Sequence, residues 1–396
     1  MPVALYALAA AAFSIGMAEF VVVGILPAIA TDMSVDIPTA GQLVSYYALG
    51  VAFAAPILTA LTSKVDRRLL TSGLMALFVL ANILTTLAPS YSLLLFGRVL
   101  AGVVQGVFYS IATVIAAELV DKKKSGQAIG LVFSGMTVAL VFGVPAGAYV
   151  TDWLNWRAAF SLISILGFVS LIGLWTLLPK TLHSGTSGSV IEQLSVVAVP
   201  RMLLVFLITG IGYGGSFIAY TYLSEILASI TGFSTSSIGT ILIFYGIAVT
   251  LGNVYAAKWA DKKGPLVASA GIFIALTLTL VVFGFVATQK VWVVPIIMIW
   301  GAAAFGSVPV LQLYVVQQAK KHFPQGVDAS SSMNISAFNL GIALGASAGG
   351  VVVAKFGLLA TAPAAAAVVA VSVLLIALSG VMERKDKAQD NLIDNA

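Results

Sequence analysis

Two ionisable residues lie inside long apolar stretches of the chain, where water cannot solvate a charge. Glu19 follows Met17 and precedes a run of valines, and Arg98 lies in a second apolar stretch that begins at Tyr91. A charged side chain inside a membrane-spanning helix is costly, so it usually serves transport or pairs with another polar group. A third acid, Glu225, lies near the end of its stretch, and we expect its carboxyl group to reach water.

The chemistry that suits Glu19 is proton exchange. A carboxyl group surrounded by apolar side chains can take up a proton from one side and release it to the other. The alternative is a purely structural Glu19 that is hydrogen-bonded to a neighbouring helix. Arg98 is predicted to lie at a similar depth, because helices rise about 1.5 Å per residue. It is expected to modulate Glu19; the alternative is an arginine that pairs only with helix carbonyls.

The composition places these residues in a helical membrane protein. Hydrophobic residues make up 60% of the 396 residues and charged residues 9%, against about 45–50% and about 25% in soluble domains. This excludes a soluble enzyme, a nucleic-acid-binding protein and a disordered chain. The chain has no cysteine, which excludes disulfides and thiolate metal sites.

Charge-poor stretches of about 20 residues predict membrane spans. Twelve such stretches occur, at 3–30, 38–61, 69–88, 91–118, 125–150, 157–178, 201–229, 235–259, 265–287, 291–318, 328–354 and 357–382. The first is too long for the apolar core of a signal peptide, so we expect it to remain as a span. Sixteen of the 20 basic residues lie in or beside the loops that follow even-numbered spans, or in the C-terminal tail. Because basic residues favour the cytoplasmic side, this predicts that both termini are cytoplasmic.

The two halves of the chain resemble each other. At a shift of 198 residues Tyr47 matches Tyr245, and at a shift of 202 residues Gly143 matches Gly345 and Gly147 matches Gly349. A repeat of six spans is typical of transporters whose halves move around a central site. It predicts bundles at 1–178 and 201–382, a cytoplasmic linker at 179–200 and a cytoplasmic tail at 383–396.

Three motifs resemble those of the major facilitator superfamily. The loop after the eighth span, Trp259-Ala260-Asp261-Lys262-Lys263-Gly264, resembles the family's Gly-x-Leu-Ala-Asp-Arg-x-Gly signature. The fourth span has the pattern Arg98-x-x-x-Gly102-x-x-Gln105-Gly106, similar to a motif of proton-coupled members. The fifth contains Gly143-Val144-Pro145-Ala146-Gly147, a partial match to an antiporter motif. The first copy of the loop signature departs from the pattern, with Ser63 and Asp66 where an aspartate and a glycine belong.

The segment around Glu19, with Gly24 and Pro27, resembles the drug:proton antiporter group and its sugar-efflux, arabinose-efflux-permease-like branch. The resemblance implies an all-α integral membrane fold of 12 transmembrane helices in two pseudo-symmetric six-helix bundles. It implies proton-coupled efflux of drugs or sugars by alternating access across the bacterial inner membrane. The alternative is a sugar-specific exporter or facilitator without proton coupling; a channel or a membrane enzyme is less favoured, because no catalytic constellation stands out.

The resemblance also implies which residues would bind substrate and which would move. The cavity candidates are the polar and aromatic residues near the middle of the inner helices: Tyr46, Tyr47, Gln105, Tyr109, Tyr220, Tyr245, Phe305, Phe338 and Asn339. Gly102, Gly106, Gly143, Gly147, Gly345 and Gly349 are expected to permit close helix contacts. In particular, the fifth span is expected to contact the eighth or eleventh span and seal one end of the cavity. Pro145 should bend the fifth span, and Asp261 and Gly264 should contribute to a latch in the loop.

The expected partners are a small-molecule substrate, protons and the lipid bilayer. We expect no nucleic-acid partner, no metal and no cofactor other than the proton gradient, since no phosphate-binding loop or paired-histidine motif is present. A monomer is expected.

The substitution Glu19→Gln tests the proton-carrying role. It should abolish proton-driven transport while the protein still folds and inserts, because the amide keeps the shape of the carboxyl group but cannot ionise. Transport driven by an imposed pH gradient is the measurement, and normal proton-coupled export by the variant would contradict the role.

Overall fold

A computed structural model describes residues 1–62, 64–121, 124–180, 182 and 195–394. These residues contain 12 helices that are long and apolar enough to cross a membrane. In chain order they are α1 (Val3–Asp32), α2 (Ile37–Leu61), α3 (Arg67–Thr86), α4 (Tyr91–Glu118), α5 (Gln127–Trp153), α6 (Trp156–Leu177), α7 (Pro200–Ile230), α8 (Thr235–Lys263), α9 (Pro265–Val286), α10 (Lys290–His322), α11 (Ala329–Phe356) and α12 (Leu358–Asp386). The predicted all-helical fold and its 12 spans are confirmed.

The helices pack in two equivalent sets, the N half (α1–α6) and the C half (α7–α12). In the N half α1 packs on α5, α2 on α4 and α3 on α6; in the C half α7 packs on α11, α8 on α10 and α9 on α12. Each pair in one half therefore has a counterpart six helices later, as the sequence repeat predicts. The halves meet where α2 contacts α11 and where α5 contacts α8.

The two faces of the molecule are named here by the ends of the chain. The terminus side holds the start of α1 and the end of α12, and the far side holds the loops that follow odd-numbered helices. The last helix does not stop at the membrane, since it continues to Asp394. Most of the predicted linker at 179–200 lies outside the described residues, as do Ser63, Lys122 and Lys123.

Polar residues at the helix ends satisfy backbone groups that lack a partner within the helix. Asp36 accepts a hydrogen bond from the backbone N–H of Thr39 (2.9 Å) at the start of α2. Hydrogen bonds from Thr39 also hold the pKa of Asp36 below its ordinary value. Asp66 caps α3 in the same way, through the N–H of Leu69 (2.8 Å). Gly264 ends α8 with a φ of 83°, which explains a glycine at this position.

Two of the membrane-spanning helices are interrupted, α5 near its middle and α7 nearer its far-side end. In α5 a π-helical turn spans Ala139–Gly143, and the N–H of Val144 donates to the carbonyl of Ala139. Pro145 follows at once and has no N–H to donate, so the wider turn accommodates it. In α7 the regular helix ends at Tyr220 and resumes at Leu223.

The glycines of the two halves occupy equivalent interfaces. Gly143 and Gly147 face Met17 and Val21 of α1, and Gly345 and Gly349 face the backbone of α7. The predicted contact between the fifth and eighth spans is present, but the small surface of Gly143 and Gly147 admits side chains of α1 within the same half. The close α5–α8 contact uses Gly246 instead, which lies against Leu140 and Val141 of the π-helical turn.

Gly102 and Gly106 let α4 approach α2. A Cβ atom on Gly102 would lie 2.1 Å from the carbonyl oxygen of Tyr47, and one on Gly106 would lie 2.7 Å from that of Val51. Both distances are too short for any side chain, so these positions set the spacing of the two helices.

Gly102→Ala should therefore lower the stability of the N half by about 1–3 kcal/mol, the usual cost of overpacking. Gly73→Ala is the matched control, because Gly73 is a helical glycine with no atom within 4 Å of an added Cβ. Thermal unfolding of the purified proteins in detergent is the measurement. Equal unfolding temperatures for the two variants would contradict the close packing at Gly102.

Candidate functional site

Glu19 and Arg98 lie side by side between α1 and α4. Glu19 is 7% exposed and Arg98 is 1% exposed. The Glu19 carboxylate accepts a hydrogen bond at Oε2 from Nε2 of Gln105 (2.9 Å). Oε1 of Gln105 in turn accepts from the hydroxyl of Tyr47 (2.7 Å). The carboxyl group is therefore the end of a hydrogen-bonded chain that runs from α2 through α4 to α1.

Arg98 contacts the backbone of α1 rather than the carboxylate. Its guanidinium donates to the carbonyl oxygens of Ala18 (2.5 Å) and Glu19 (3.3 Å). Its Cζ also lies 4.1 Å from the centre of the Tyr47 ring, a cation–π distance. Within the described part of the chain no ion pair joins Arg98 to the Glu19 carboxylate. The observed contacts therefore agree with the alternative hypothesis, in which Arg98 pairs with helix carbonyls. Its charge nevertheless remains close to Glu19.

A small cavity lies at the carboxyl group, between the two halves. Its lining comes from both halves: Glu19, Phe20, Val23, Val44, Tyr47, Ala48, Phe217 and Ile342. Its volume is about 10 Å³, roughly the room of one water molecule and far below the about 300–1,000 Å³ of ordinary ligand pockets. The site is closed around Glu19 in this conformation, and a substrate of drug size needs the halves to separate.

An aromatic cluster of the C half reaches this cavity through Phe217. Its members are Tyr213, Phe217, Tyr220, Tyr245, Phe305 and Phe338, whose rings contact one another at centroid distances of 5.1–6.2 Å. Phe20, the neighbour of Glu19 in sequence, joins the cluster through an edge contact to Phe305 (5.7 Å). The side chain of Tyr245 is buried and stacks on Tyr220, with ring centres 5.4 Å apart.

The structure brings together most of the predicted cavity residues, but with different tasks. Gln105 bonds Glu19 and Tyr47 bonds Gln105, whereas Tyr220, Tyr245, Phe305 and Phe338 belong to the aromatic cluster. The other three predicted residues make neither kind of contact. Tyr109 donates to the Ala12 carbonyl (3.1 Å), Asn339 donates to the Ile335 carbonyl of its own helix (3.0 Å), and Tyr46 is 42% exposed on the outer face of α2.

Sequence reasoning missed three members of the site. Phe20 could have been found from its position beside Glu19. Tyr213 lies seven residues before Tyr220 and Phe217 lies three residues before it, and such spacings put side chains on one face of a helix.

Asp261, predicted to act in a latch, lies exposed near the end of α8. On the same side of the molecule, the N half has an ion pair between Arg67 and Glu118.

Neutral hydrogen bonds join the halves on the far side. Ser347 of α11 donates to Ser45 (3.0 Å) and Gln42 (3.2 Å) of α2. Ser224 of α7 donates to the Val23 carbonyl, and the hydroxyls of Tyr149 and Thr240 lie 2.7 Å apart. We call these contacts, with the packing of Tyr222 against Gly41, the far-side seal.

Tyr222 lies at the centre of the far-side seal. It occupies the break in α7, and its hydroxyl donates to the Ala346 carbonyl (3.0 Å). A Cβ atom on Gly41 would lie 2.2 Å from the Tyr222 hydroxyl oxygen. Only a glycine leaves room for this ring between α2 and α11. Because α5 approaches α8 mainly through its π-helical turn and its far-side half, the cavity is closed from the far side.

Twelve spans in two matched halves, with a buried carboxyl group between them, define a membrane transporter of the alternating-access class. The family profile of the Major Facilitator Superfamily matches residues 8–327. The chain belongs to this superfamily, and its relatives are transporters rather than enzymes.

Three curated relatives illustrate the range of the family. The uncharacterized MFS-type transporter YtbD of Bacillus subtilis is 42% identical, over 98% of this chain and 97% of its own length. A chloramphenicol resistance protein of Streptomyces lividans is 31% identical over 66% of this chain and 68% of its own. A probable sugar efflux transporter of Helicobacter pylori is 28% identical over 88% and 87%.

A solved structure supports the fold. The human organic anion transporter MFSD10 (TETRAN) superposes with a TM-score of 0.70, over 94% of this chain and 99% of that one, at 15% identity. At this identity the likeness concerns the fold alone.

Gly41→Ala should open the far-side seal, because the added methyl group displaces the Tyr222 ring. The chain has no cysteine, so a single Ser45→Cys reports on the seal: Ser45 is 1% exposed and lies within it. A water-soluble maleimide should label this cysteine several-fold faster in the Gly41→Ala background.

Thr288→Cys is the control site, since Thr288 is exposed in the far-side turn between α9 and α10. Its labelling should be fast in both backgrounds. An unchanged rate at Ser45→Cys would show that the contact between Gly41 and Tyr222 does not hold the seal.

Proposed function

We propose that this protein exports small molecules across the bacterial inner membrane in exchange for protons, with Glu19 as the proton-carrying group. The observation that carries the proposal is the position of the Glu19 carboxyl group. It is buried, it lies at the cavity between the two halves, and the far-side seal separates it from one face of the membrane. A proton or a substrate bound at this point can therefore exchange with only one face of the membrane at a time.

The direction of transport follows from topology. Basic residues concentrate on the terminus side, which assigns that side to the cytoplasm by the positive-inside rule. The far-side seal then closes the periplasmic face, and separation of the halves on the terminus side would admit substrate from the cytoplasm. Separation of α2 from α11 and of α5 from α8 would expose the same cavity to the periplasm.

Coupling requires that proton and substrate are not both absent while the halves move. Glu19 supplies the proton site, and the aromatic cluster opposite supplies an apolar surface that binds the body of a substrate. The contact between Phe20 and Phe305 connects the two. A substrate that separates these rings would change the surroundings of the neighbouring carboxyl group, which ties proton release to substrate entry.

The substrate class is a drug or a sugar, and relatives of both kinds are known: one is named for chloramphenicol resistance and another for sugar efflux. The aromatic cluster favours an amphipathic drug. A sugar exporter without proton coupling is the second candidate, because a relative of this chain is named for sugar efflux.

Proteoliposomes with an imposed pH gradient test the proposal. Sugars, chloramphenicol-like drugs and lipophilic cations are presented in turn, and proton flux is recorded with and without each compound. At least one compound should elicit a proton flux that saturates with its concentration, as a carrier requires.

Glu19→Gln should abolish this flux, whereas Glu225→Gln should retain it. Glu225 is the matched control, because it is the acid of α7 at the far side, partly exposed, where its carboxylate accepts from Ser229. Export of a sugar at the same rate with and without a pH gradient would replace the proposal by the second candidate. Flux that never saturates would indicate a channel.

A further inference from the structure

Gln105 and Tyr47 have the residue types expected of substrate ligands, but their polar atoms are already engaged. The Gln105 side chain accepts from Tyr47 at one end and donates to Glu19 at the other. Gln105 is 2% exposed and Tyr47 is 1% exposed. A buried amide with both ends satisfied gains nothing from a ligand.

We infer that Gln105 and Tyr47 are positioning residues that hold the Glu19 carboxyl group in one orientation and set its proton affinity. The inference rests on the proposed role of Glu19 as the proton-carrying group. It assigns the hydrogen-bonded chain to proton binding and leaves substrate contacts to the aromatic cluster of the C half.

The orientation of the carboxyl group follows from this chain. Gln105 bonds Oε2 of Glu19, and no hydrogen bond reaches Oε1 from the part of the protein that the structure describes. Glu19 also lines the cavity between the halves. Gln105 therefore holds Oε2, the oxygen whose protonated form would also contact the amide, and Oε1 remains for a substrate.

An amide suits both protonation states of a carboxyl group. It presents a donor at one end and an acceptor at the other, so rotation by about half a turn exchanges them. The donor end faces Glu19 when the carboxylate is charged. After the carboxyl group takes up a proton, its O–H needs an acceptor, which the turned amide supplies, and Nε2 then donates to the Tyr47 hydroxyl. A tyrosine hydroxyl both donates and accepts, so it fits either arrangement.

Four residues of α4 hold this chain in place: Gly102 lies four residues after Arg98, and Gln105 and Gly106 lie three and four residues after Gly102, which puts them on one side of the helix. Arg98 lies under the Tyr47 ring, and Gly102 admits the Tyr47 carbonyl. Gln105 bonds the Tyr47 hydroxyl, and Gly106 admits the backbone of α2 one turn further on. These four residues thus act together. They hold Tyr47 against α4 and orient the Gln105 side chain toward Glu19.

The charged and titratable groups around the Glu19 carboxyl group come from three helices. Arg98 and Tyr109 belong to α4, Tyr47 to α2, and Tyr213 and Tyr220 to α7. Arg98 is the only cation among these five, and its hydrogen bonds go to carbonyls. Direct contact with the carboxylate belongs to Gln105.

Infrared titration of the full-length protein in lipid vesicles tests the inference without a substrate. The signal of the Glu19 carboxyl group is the difference between the wild-type protein and Glu19→Gln, and the proton itself is the probe. Gln105→Met removes the amide at similar volume, and Tyr47→Phe removes only the hydroxyl and keeps the ring against Arg98. Tyr46→Phe is the matched control, because Tyr46 is adjacent in sequence but exposed on the outer face of α2.

The midpoint of the Glu19 titration should move by about one pH unit in Gln105→Met, a tenfold change in proton affinity, because a hydrogen bond to a charged group is lost. Tyr47→Phe should also displace the midpoint and broaden the carboxyl band, since the amide loses its anchor. Tyr46→Phe should titrate like the wild-type protein. An unchanged midpoint and band in Gln105→Met would overturn the inference; if that variant does not insert, an unchanged Tyr47→Phe would overturn it.

The outcome separates this inference from the proposed function. If the midpoint is displaced but no compound elicits proton exchange in proteoliposomes, the positioning roles are supported and proton-coupled export is contradicted. Proton-coupled export that is abolished in Glu19→Gln, with an undisplaced midpoint in both positioning variants, would retain export and remove the positioning roles.

Discussion

The structure depends on one constraint: a carboxyl group and a guanidinium lie in the middle of a bilayer and cannot be solvated by water. Arg98 meets the constraint by donating to two carbonyls of α1 and by lying under the Tyr47 ring. Glu19 meets it through Gln105. Neither solution is available unless α1, α2 and α4 approach closely, and the glycines at 102 and 106 permit that approach. The packing of the N half thus follows from the need to satisfy two charged side chains.

The two halves have the same arrangement of helices but different kinds of residue at their centres. The N half concentrates charge and amide groups at its centre, and the C half concentrates aromatic rings. Tyr47 and Tyr245 show the contrast, because they match in the sequence repeat. The hydroxyl of Tyr47 bonds an amide, while the ring of Tyr245 stacks on that of Tyr220 (5.4 Å). A proton and an amphipathic molecule can therefore be handled by opposite walls of one cavity.

Hydropathy and charge were sufficient to predict the helices, since a bilayer requires about 20 apolar residues in each span. They were also sufficient to select Glu19 and Arg98. They could not predict how each helix is rotated about its axis, because spans such as α1 and α9 are apolar on every side and have no polar face to orient them. The packing of Gly143 and Gly147 on α1 was consequently not predicted, and Tyr46 was grouped with Tyr47 although the two side chains point to opposite faces of α2. Rotation is set by side-chain volume at close contacts, which a single sequence does not display.

The distribution of ion pairs explains how such a structure can move without coming apart. In the described part of the chain the Arg and Lys ion pairs join helices of one half: Arg67 with Glu118, Arg157 with Asp32 (2.5 Å), and both Arg201 (2.6 Å) and Lys321 (3.8 Å) with Asp386. The halves are joined instead by hydroxyl, amide and carbonyl groups. Water replaces a neutral hydrogen bond at a net cost of only about 0.5–1.5 kcal/mol, so these contacts can open and reform. Each half thus keeps its own charge contacts as it moves, and the far-side seal holds through close packing at Gly41 and Tyr222, which a change at the central cavity can release.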